Sequence, residues 1–352
     1  MTITQHLIVE QYGAFVGKHS ERLIVTKGEE QLAQAPLLQL ESVLIAGHGV
    51  SISADAVREC AERGIPIHFV SGSGTAYASL YSAGLTGTII TRRAQLEAYK
   101  DLRGLRVALA FASGKIQNQA NLLKYMGKYR KETAPEVYEE LRLRADEVME
   151  HVIELEQLLR LPEVREEGTA TIDDLRTEIM GIEGRAAQRY WGALKQVLPE
   201  ACDWPGREGR GATDPVNGAL NYGYGILYGQ VERALVLAGL DPYAGFAHAD
   251  RPGKPSLALD FIEEFRQPVV DRTVFGLVNK GVKLEQDAEG RKRFTPETAK
   301  MLAGKILDRM ESNEPYEGKK CPLRVIVQSQ ARHLATFLRG ERTQYEAFVM
   351  TW

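Results

Sequence analysis

Cysteine is scarce: Cys60, Cys202 and Cys321 are the only three in 352 residues, and no two form a CxxC pair. That spacing excludes a disulfide framework, a zinc knuckle and a four-cysteine iron–sulfur cluster, and it suits a reducing cytoplasm. Also missing is any stretch of roughly 18 uninterrupted apolar residues. The N-terminus MTITQHLIVEQYG has no basic segment leading into a long apolar run, so neither export nor membrane spanning is expected. Charge of one sign is lacking too. With a net charge of −3 there is no global basic field, and any nucleic-acid site has to be a local basic patch. No GxSxG elbow, Walker A loop, HExxH or GxGxxG in a strand–helix context occurs. GHGVS at 47–51 offers no nucleophile, and His48 reads as a turn histidine. Attack by water or by a nucleic-acid hydroxyl is therefore favoured over attack by a protein side chain.

What is present reads as an ordinary globular chain, 44% hydrophobic and 26% charged, long enough for two domains. Up to about residue 90 the pattern is of short strands: HLIVE, AFVGK, RLIVTK, SVLIAG, PIHFV, AYASLY and TGTII. One helix interrupts them over about 54–63, with Ser53 as N-cap and Gly64 past its end. SGSG at 71–74 reads as a hairpin turn between PIHFV and AYASLY. From about Arg92 the apolar period changes to 3.6. Helices are expected over about 92–112, 115–130, 135–160, 171–198, 214–239, 256–279, 295–311 and 322–338, with loops at 200–213, 249–255 and 312–320. The fold class is thus α+β and multidomain: a β-rich domain over 1–90 followed by a larger all-α catalytic domain over 91–352.

Three clusters carry chemistry. Asp260 and Glu263 lie three apart on one expected helix and follow His248, while Glu183 stands upstream between Gly181 and Gly184. Positions three apart share a helix face. Hard oxygen ligands with a single imidazole suit a divalent cation such as Mg²⁺ or Mn²⁺. Glycine costs a helix about 1 kcal/mol relative to alanine, so the pair beside Glu183 reads as room for a backbone or a DNA phosphate. The plainer alternative pairs Glu183 with Arg185 or Arg189. Arg251 and Lys254 on the stiff loop ADRPGKP are candidate phosphate contacts. The third cluster, DWPGREGRGATDPVNGALNYGYGILYG, places Arg207 and Arg210 before a helix capped by Asp214 and Pro215. Its Asn217, Asn221, Tyr222 and Tyr224 suit phosphate bonding or base stacking. Tyr190, on the apolar stripe of the Glu183 helix, and Arg266 complete the expected DNA contacts.

Read in order, FASGKIQNQANLL, MGIEGRAAQRYW, DPVNGALNYGYGILYG, GFAH and SLALDFIEEFRQPVVD resemble the CRISPR-associated adaptation integrase family, Cas1. VSISADAVRECAERGIPIHFVSGSG is similar to that family's N-terminal domain. The resemblance implies a metal site at Glu183, His248 and Glu263, with Asp260 a further acidic residue of the catalytic set. Family members often carry aspartate where this chain has Glu263. It also implies insertion of captured DNA fragments into a CRISPR array, the fragment's 3′-hydroxyl attacking a phosphodiester of the repeat. The implied partners are double-stranded DNA, a second copy of the chain forming a homodimer through the β-domain, the small protein Cas2 and, in some relatives, a Cas4 processing nuclease. Two other readings stand beside this one: a stand-alone structure-specific metal-dependent nuclease, and a catalytically silent DNA-binding scaffold.

Overall fold

A computed structural model of the chain describes residues 6–40, 42–70, 76–80, 88–165, 168–199, 202–209, 211–287 and 294–352. The N-terminal part builds two sheets. In the first, β1 (His6–Val9), β5 (Ser42–Ile45) and β7 (Ile67–Val70) run parallel and β8 (Ala76–Leu80) closes the order β1-β5-β7-β8 antiparallel. The second has the order β4-β3-β2-β6, from β2 (Phe15–His19), β3 (Arg22–Lys27), β4 (Glu30–Pro36) and the short β6 (Ser51–Ile52). Helix α1 (Ala54–Glu62) makes the crossover from β5 to β7, and the Ser53 hydroxyl caps it by accepting from the Ala56 N–H at 3.1 Å. Leu7, Val9, Val16, Leu23, Val43 and Ile67 fill a core of their own. Leu44 and Val70, on the other face of the first sheet, join the larger helical core. Every residue of β5 is buried, as a strand covered on both faces requires.

The helical part begins earlier than its periodicity suggests. Helix α2 (Thr88–Ala98) takes up the end of TGTII, so that segment is not a strand over 88–90. Local β-branched content loses here to packing, because Ala94, Gln95 and Ala98 turn inward. Then follow α3 (Leu102–Lys128), α4 (Pro135–Leu158), the single turn α5 (Pro162–Arg165), α6 (Ile172–Lys195), α7 (Pro215–Leu237), α8 (Ser256–Phe261), α9 (Arg272–Asn279), α10 (Pro296–Glu311) and α11 (Leu323–Leu338). Helix α3 is buried nearly all round, packed by α4 and α6. The expected loop at 312–320 instead forms a hairpin, β9 (Asn313–Tyr316) and β10 (Lys319–Pro322), around a turn with Glu317 and Gly318 at positive φ. Among the described residues no helix is long and apolar enough to cross a membrane. The turn expected at 71–74 lies outside the described residues.

The helix expected over 256–279 is broken into four. After α8 come a 3₁₀ turn (Ile262–Glu264), a π-helical stretch (Arg266–Asp271) and then α9. Pro268 explains the break: it has no N–H to give the Glu264 carbonyl, its partner four residues back. The side-chain amide of Asn118 on α3 donates to that carbonyl instead, at 2.9 Å, and also to the Phe348 carbonyl at 2.8 Å. Val270 then sits so close to α7 that a Cβ at Gly223 would come within 2.6 Å of it. The C-terminal tail is locked onto the same seam, with Phe348 stacked on Phe265 at 5.7 Å and the Met350 N–H donating to Asn118 at 2.7 Å. Such π segments recur at functional sites.

Candidate active site

Four elements converge at one cleft. Helix α6 brings Glu183, about three turns beyond a start where the Thr171 N–H and hydroxyl both donate to Asp174 at 2.8 Å. Helix α3 brings Lys115, the 3₁₀ turn brings Glu263, and the loop before α8 brings His248. That loop is shaped by Asp260. Its buried carboxylate accepts from the N–H groups of Phe246 at 2.6 Å, Ala247 at 3.0 Å and His248 at 2.8 Å. It also lies 2.6 Å from His248 Nδ1. A carboxylate in that role only accepts, so the ring proton sits on Nδ1 and the Nε2 lone pair is left for a ligand. Gly245 is required where the loop presses on α8, since a Cβ there would lie 2.6 Å from the Ser256 carbonyl carbon. From α6, Arg176 ties the loop down by donating to the Phe246 carbonyl at 3.1 Å.

Glu183 and Glu263 meet at a single cation, the Lys115 ammonium. Nζ is 2.5 Å from Glu183 Oε1 and 2.8 Å from Glu263 Oε2. Burial pulls the Lys115 amine down, and the two carboxylates more than offset it, leaving the group raised and charged. At Glu263 burial pushes upward and is outweighed by Arg266, Lys115 and His248, so the carboxyl sits below its usual range. Arg266 approaches the other Glu263 oxygen, Oε1, at 3.2 Å and lies 4.9 Å over the Tyr224 ring. Neither Arg185 nor Arg189 takes Glu183; they pair with Glu154 and Glu147. Among the described residues the glycines beside Glu183 admit no other backbone: a Cβ at Gly184 would meet nothing within 4 Å, and one at Gly181 only the tip of Arg185 at 3.7 Å. That face of α6 is open.

Among the described residues no three His, Cys, Asp or Glu side chains are gathered tightly enough to hold a metal ion as they stand. The chemistry of the donors nevertheless fits a divalent cation. An ammonium held between two carboxylates is a stand-in for a cation, and His248, whose Nε2 lone pair is left over by the bond to Asp260, lies near enough to help lower the Glu263 carboxyl.

Three expected DNA contacts are reassigned to the interior. Tyr190 is fully buried, and its hydroxyl donates to Asp271 at 2.7 Å. Asn217 is fully buried, donates to the Gly206 carbonyl at 2.7 Å and Asp214 at 2.8 Å, and accepts from the Glu208 N–H at 3.0 Å. Tyr222 is 5% exposed and packs edge-on against Phe294 at 6.3 Å. Tyr190 and Asn217, already satisfied inside the fold, have no atom to offer a phosphate or a base, and the Tyr222 ring is packed inward. Arg207 is partly exposed, 5.8 Å from the Trp191 ring and 5.5 Å from the Tyr224 ring, and donates to Asn221 at 2.8 Å. Arg251 is exposed and Lys254 half-buried on the loop leading to α8. Arg210 lies outside the described residues.

The residue that the expected ligand set leaves out is Lys115. Its signal was a lysine within the apolar run FASGKI of a helix that proves buried. Such a lysine needs anionic partners.

Solved structures share this architecture. A casposase bound to integration product superposes with a TM-score of 0.79 at 20% identity, covering 97% of this chain and 93% of that one. A Cas6-RT-Cas1–Cas2 complex gives 0.75 at 22% identity over 99% of this chain and 37% of the longer one. The strand-rich region followed by a larger helical one is the fold of these CRISPR-associated and integrase structures. The family described as CRISPR associated protein Cas1 matches residues 7–306. A CRISPR-associated endonuclease Cas1 of Archaeoglobus fulgidus is 36% identical over 355 residues, 98% of this chain and 99% of that protein. The chain belongs to the Cas1 family.

Proposed function

We propose that this chain is the integrase of CRISPR adaptation, joining the 3′-hydroxyl of a captured DNA fragment to a phosphodiester of the CRISPR repeat. The observation that carries this reading is the meeting of Glu183 and Glu263 at one buried cation beside a histidine oriented by Asp260, in a chain of the Cas1 family. Glu183, Glu263 and Nε2 of His248 would hold one Mg²⁺ or Mn²⁺, which when bound neutralises charge developing on the phosphate. Asp260 orients the histidine and does not itself ligate. Arg266, fixed between Glu263 and the Tyr224 ring, lies where it can meet a phosphate at the cleft edge. Arg207, Arg251 and Lys254 extend that basic rim. In the joining step one new P–O bond to the attacking oxygen replaces one P–O bond of the repeat, and the leaving oxygen ends protonated. No bond energy is lost overall, so no nucleotide cofactor is needed.

The active form is read as a homodimer working with Cas2 on double-stranded DNA, and with a Cas4 nuclease where fragments are trimmed. Support for self-association comes from β4 and β8, the outer strands of the two sheets, and from the exposure of Tyr77 on β8.

The test is to incubate the chain, with and without Cas2, with Mn²⁺, a 3′-hydroxyl duplex and a supercoiled plasmid carrying a repeat. Covalent joining that disappears with a 3′-deoxy end supports integration. Nicking indifferent to that end identifies a stand-alone nuclease.

A further inference from the structure

Lys115 occupies the position that the two carboxylates create. Its Nζ stands 2.5 Å from Glu183 and 2.8 Å from Glu263, close to the separation a carboxylate keeps from a bound divalent cation, about 2.0–2.6 Å. Two cations cannot share that space. The α3 backbone cannot withdraw to make room, because Asn118, one turn on, is bonded to Glu264, Phe348 and Met350. Only the four-carbon side chain can move. Within the chain the carboxylates nearest to hand are already engaged: Oε1 of Glu263 faces Arg266, and Asp260 is saturated by four N–H groups. An ammonium displaced from between Glu183 and Glu263 gives up both of these contacts, and a phosphate arriving from outside can replace them. The Glu183 side chain remains 21% exposed, so a DNA phosphate can reach the pair there.

We propose that Lys115 is a monovalent placeholder for the divalent cation, holding Glu183 and Glu263 together before metal binds and passing to a DNA phosphate when it does. The proposal rests on the reading of Glu183 and Glu263 as metal ligands. Before metal binds, the ammonium prevents the buried Glu263 and the part-exposed Glu183 from repelling one another and keeps the cleft assembled. It also competes with the metal, so the site binds metal weakly by itself. DNA relieves the competition by accepting the ammonium. Metal and DNA then bind cooperatively, and by linkage each tightens the other by the same factor. Free enzyme is thereby kept from being loaded with metal until a phosphate is in the cleft.

The experiment is a calorimetric Mn²⁺ titration of wild type, Lys115→Met and Glu183→Gln, each with and without a saturating 3′-hydroxyl duplex, subtracting Mn²⁺ bound by the duplex alone. Wild type is expected to bind Mn²⁺ at least about fivefold more tightly with the duplex, the lower end of ordinary coupling. Lys115→Met is expected to bind Mn²⁺ without DNA at least about fivefold more tightly than wild type, and to gain less than about twofold from the duplex. An affinity equal to or below wild type in Lys115→Met overturns the placeholder, as does a duplex-dependent gain that survives the substitution. If Glu183→Gln loses Mn²⁺ binding while Lys115→Met behaves as wild type, the placeholder alone falls. If Glu183→Gln binds Mn²⁺ as wild type does, the ligand reading falls and takes the placeholder with it. Should Lys115→Met not fold, Lys115→Gln replaces it, and a wild type without any duplex-dependent gain is by itself decisive against the proposal.

Discussion

Asp260→Asn is the most telling single perturbation, because it changes one atom and reverses the hydrogen-bond logic of the His248 loop. The carboxylate accepts two N–H groups at each oxygen: Phe246 and Ala247 at Oδ2, the His248 backbone and Nδ1 at Oδ1. An amide has one oxygen and one NH₂. Turned so that the NH₂ faces Oδ2's partners, it opposes two backbone donors that cannot change. Turned the other way, it opposes only one, the His248 N–H, because the imidazole can move its proton to Nε2 and accept at Nδ1. The second arrangement is cheaper, losing one charge-assisted hydrogen bond at about 1.5–3 kcal/mol. It also fills the Nε2 lone pair with a proton. The expected result is therefore a fold weakened by about 1.5–3 kcal/mol in urea melts, with Mn²⁺ affinity and strand joining reduced about 10–100-fold. Full occupancy at high Mn²⁺ should recover part of the joining. A variant that retains wild-type Mn²⁺ affinity and joining within twofold would refute the role given to Asp260.

Further outcomes are open to direct measurement. Glu183→Gln should lower strand joining by about 10²-fold or more and leave the melting midpoint nearly unchanged, because Lys115 keeps its contact with Glu263; activity near wild type would remove Glu183 from the mechanism. Tyr190→Phe should cost about 1–2 kcal/mol of stability by removing one donor to the buried Asp271, with DNA affinity unchanged; a loss of DNA affinity without a loss of stability would return Tyr190 to the DNA surface. Burial pushes the Glu264 carboxyl up to about 8, against the opposing pull of the Phe348 N–H, the Tyr345 hydroxyl and the Gln330 amide. A carboxyl raised in the fold binds more protons folded than unfolded, so its contribution is full below about 4.5 and falls as pH rises towards 8. Urea midpoints should decline over that window in wild type and flatten in Glu264→Gln; parallel profiles would contradict this.

Much of the fold was legible where local chemistry decides it. The change from strand alternation to a 3.6-residue period located the helical region, and Ser53 and Asp214 announced helix starts that carry the expected caps. Strand β4 was not legible, because its charged and glutamine-rich EQLAQAP lacks the β-branched content that marked its neighbours. The hairpin β9–β10 was missed for a similar reason, its strands being short and polar and each containing a proline. The π segment could not be read locally. Pro268 warned of a break, yet the group that satisfies the freed Glu264 carbonyl, Asn118, comes from a helix 146 residues away in sequence. The site divides in the same way. Glu183, His248, Asp260 and Glu263 carry chemical types that invite a metal reading, whereas the partner shared by Glu183 and Glu263 is a lysine on α3 that no spacing rule connects to them. Tyr190, Asn217 and Tyr222 misled because polar tips on a helix suit a buried hydrogen bond as well as a ligand, and only tertiary packing separates the two.

The central claim, that Glu183, His248 and Glu263 form one cation site, is tested most directly by anomalous diffraction from crystals of the chain grown with duplex DNA and soaked in Mn²⁺. One peak is expected about 2.0–2.6 Å from Glu183, Glu263 and Nε2 of His248, with the Lys115 ammonium displaced from between the carboxylates. A Mn²⁺ peak elsewhere, with Lys115 still bridging Glu183 and Glu263 at saturating metal, would contradict the assignment.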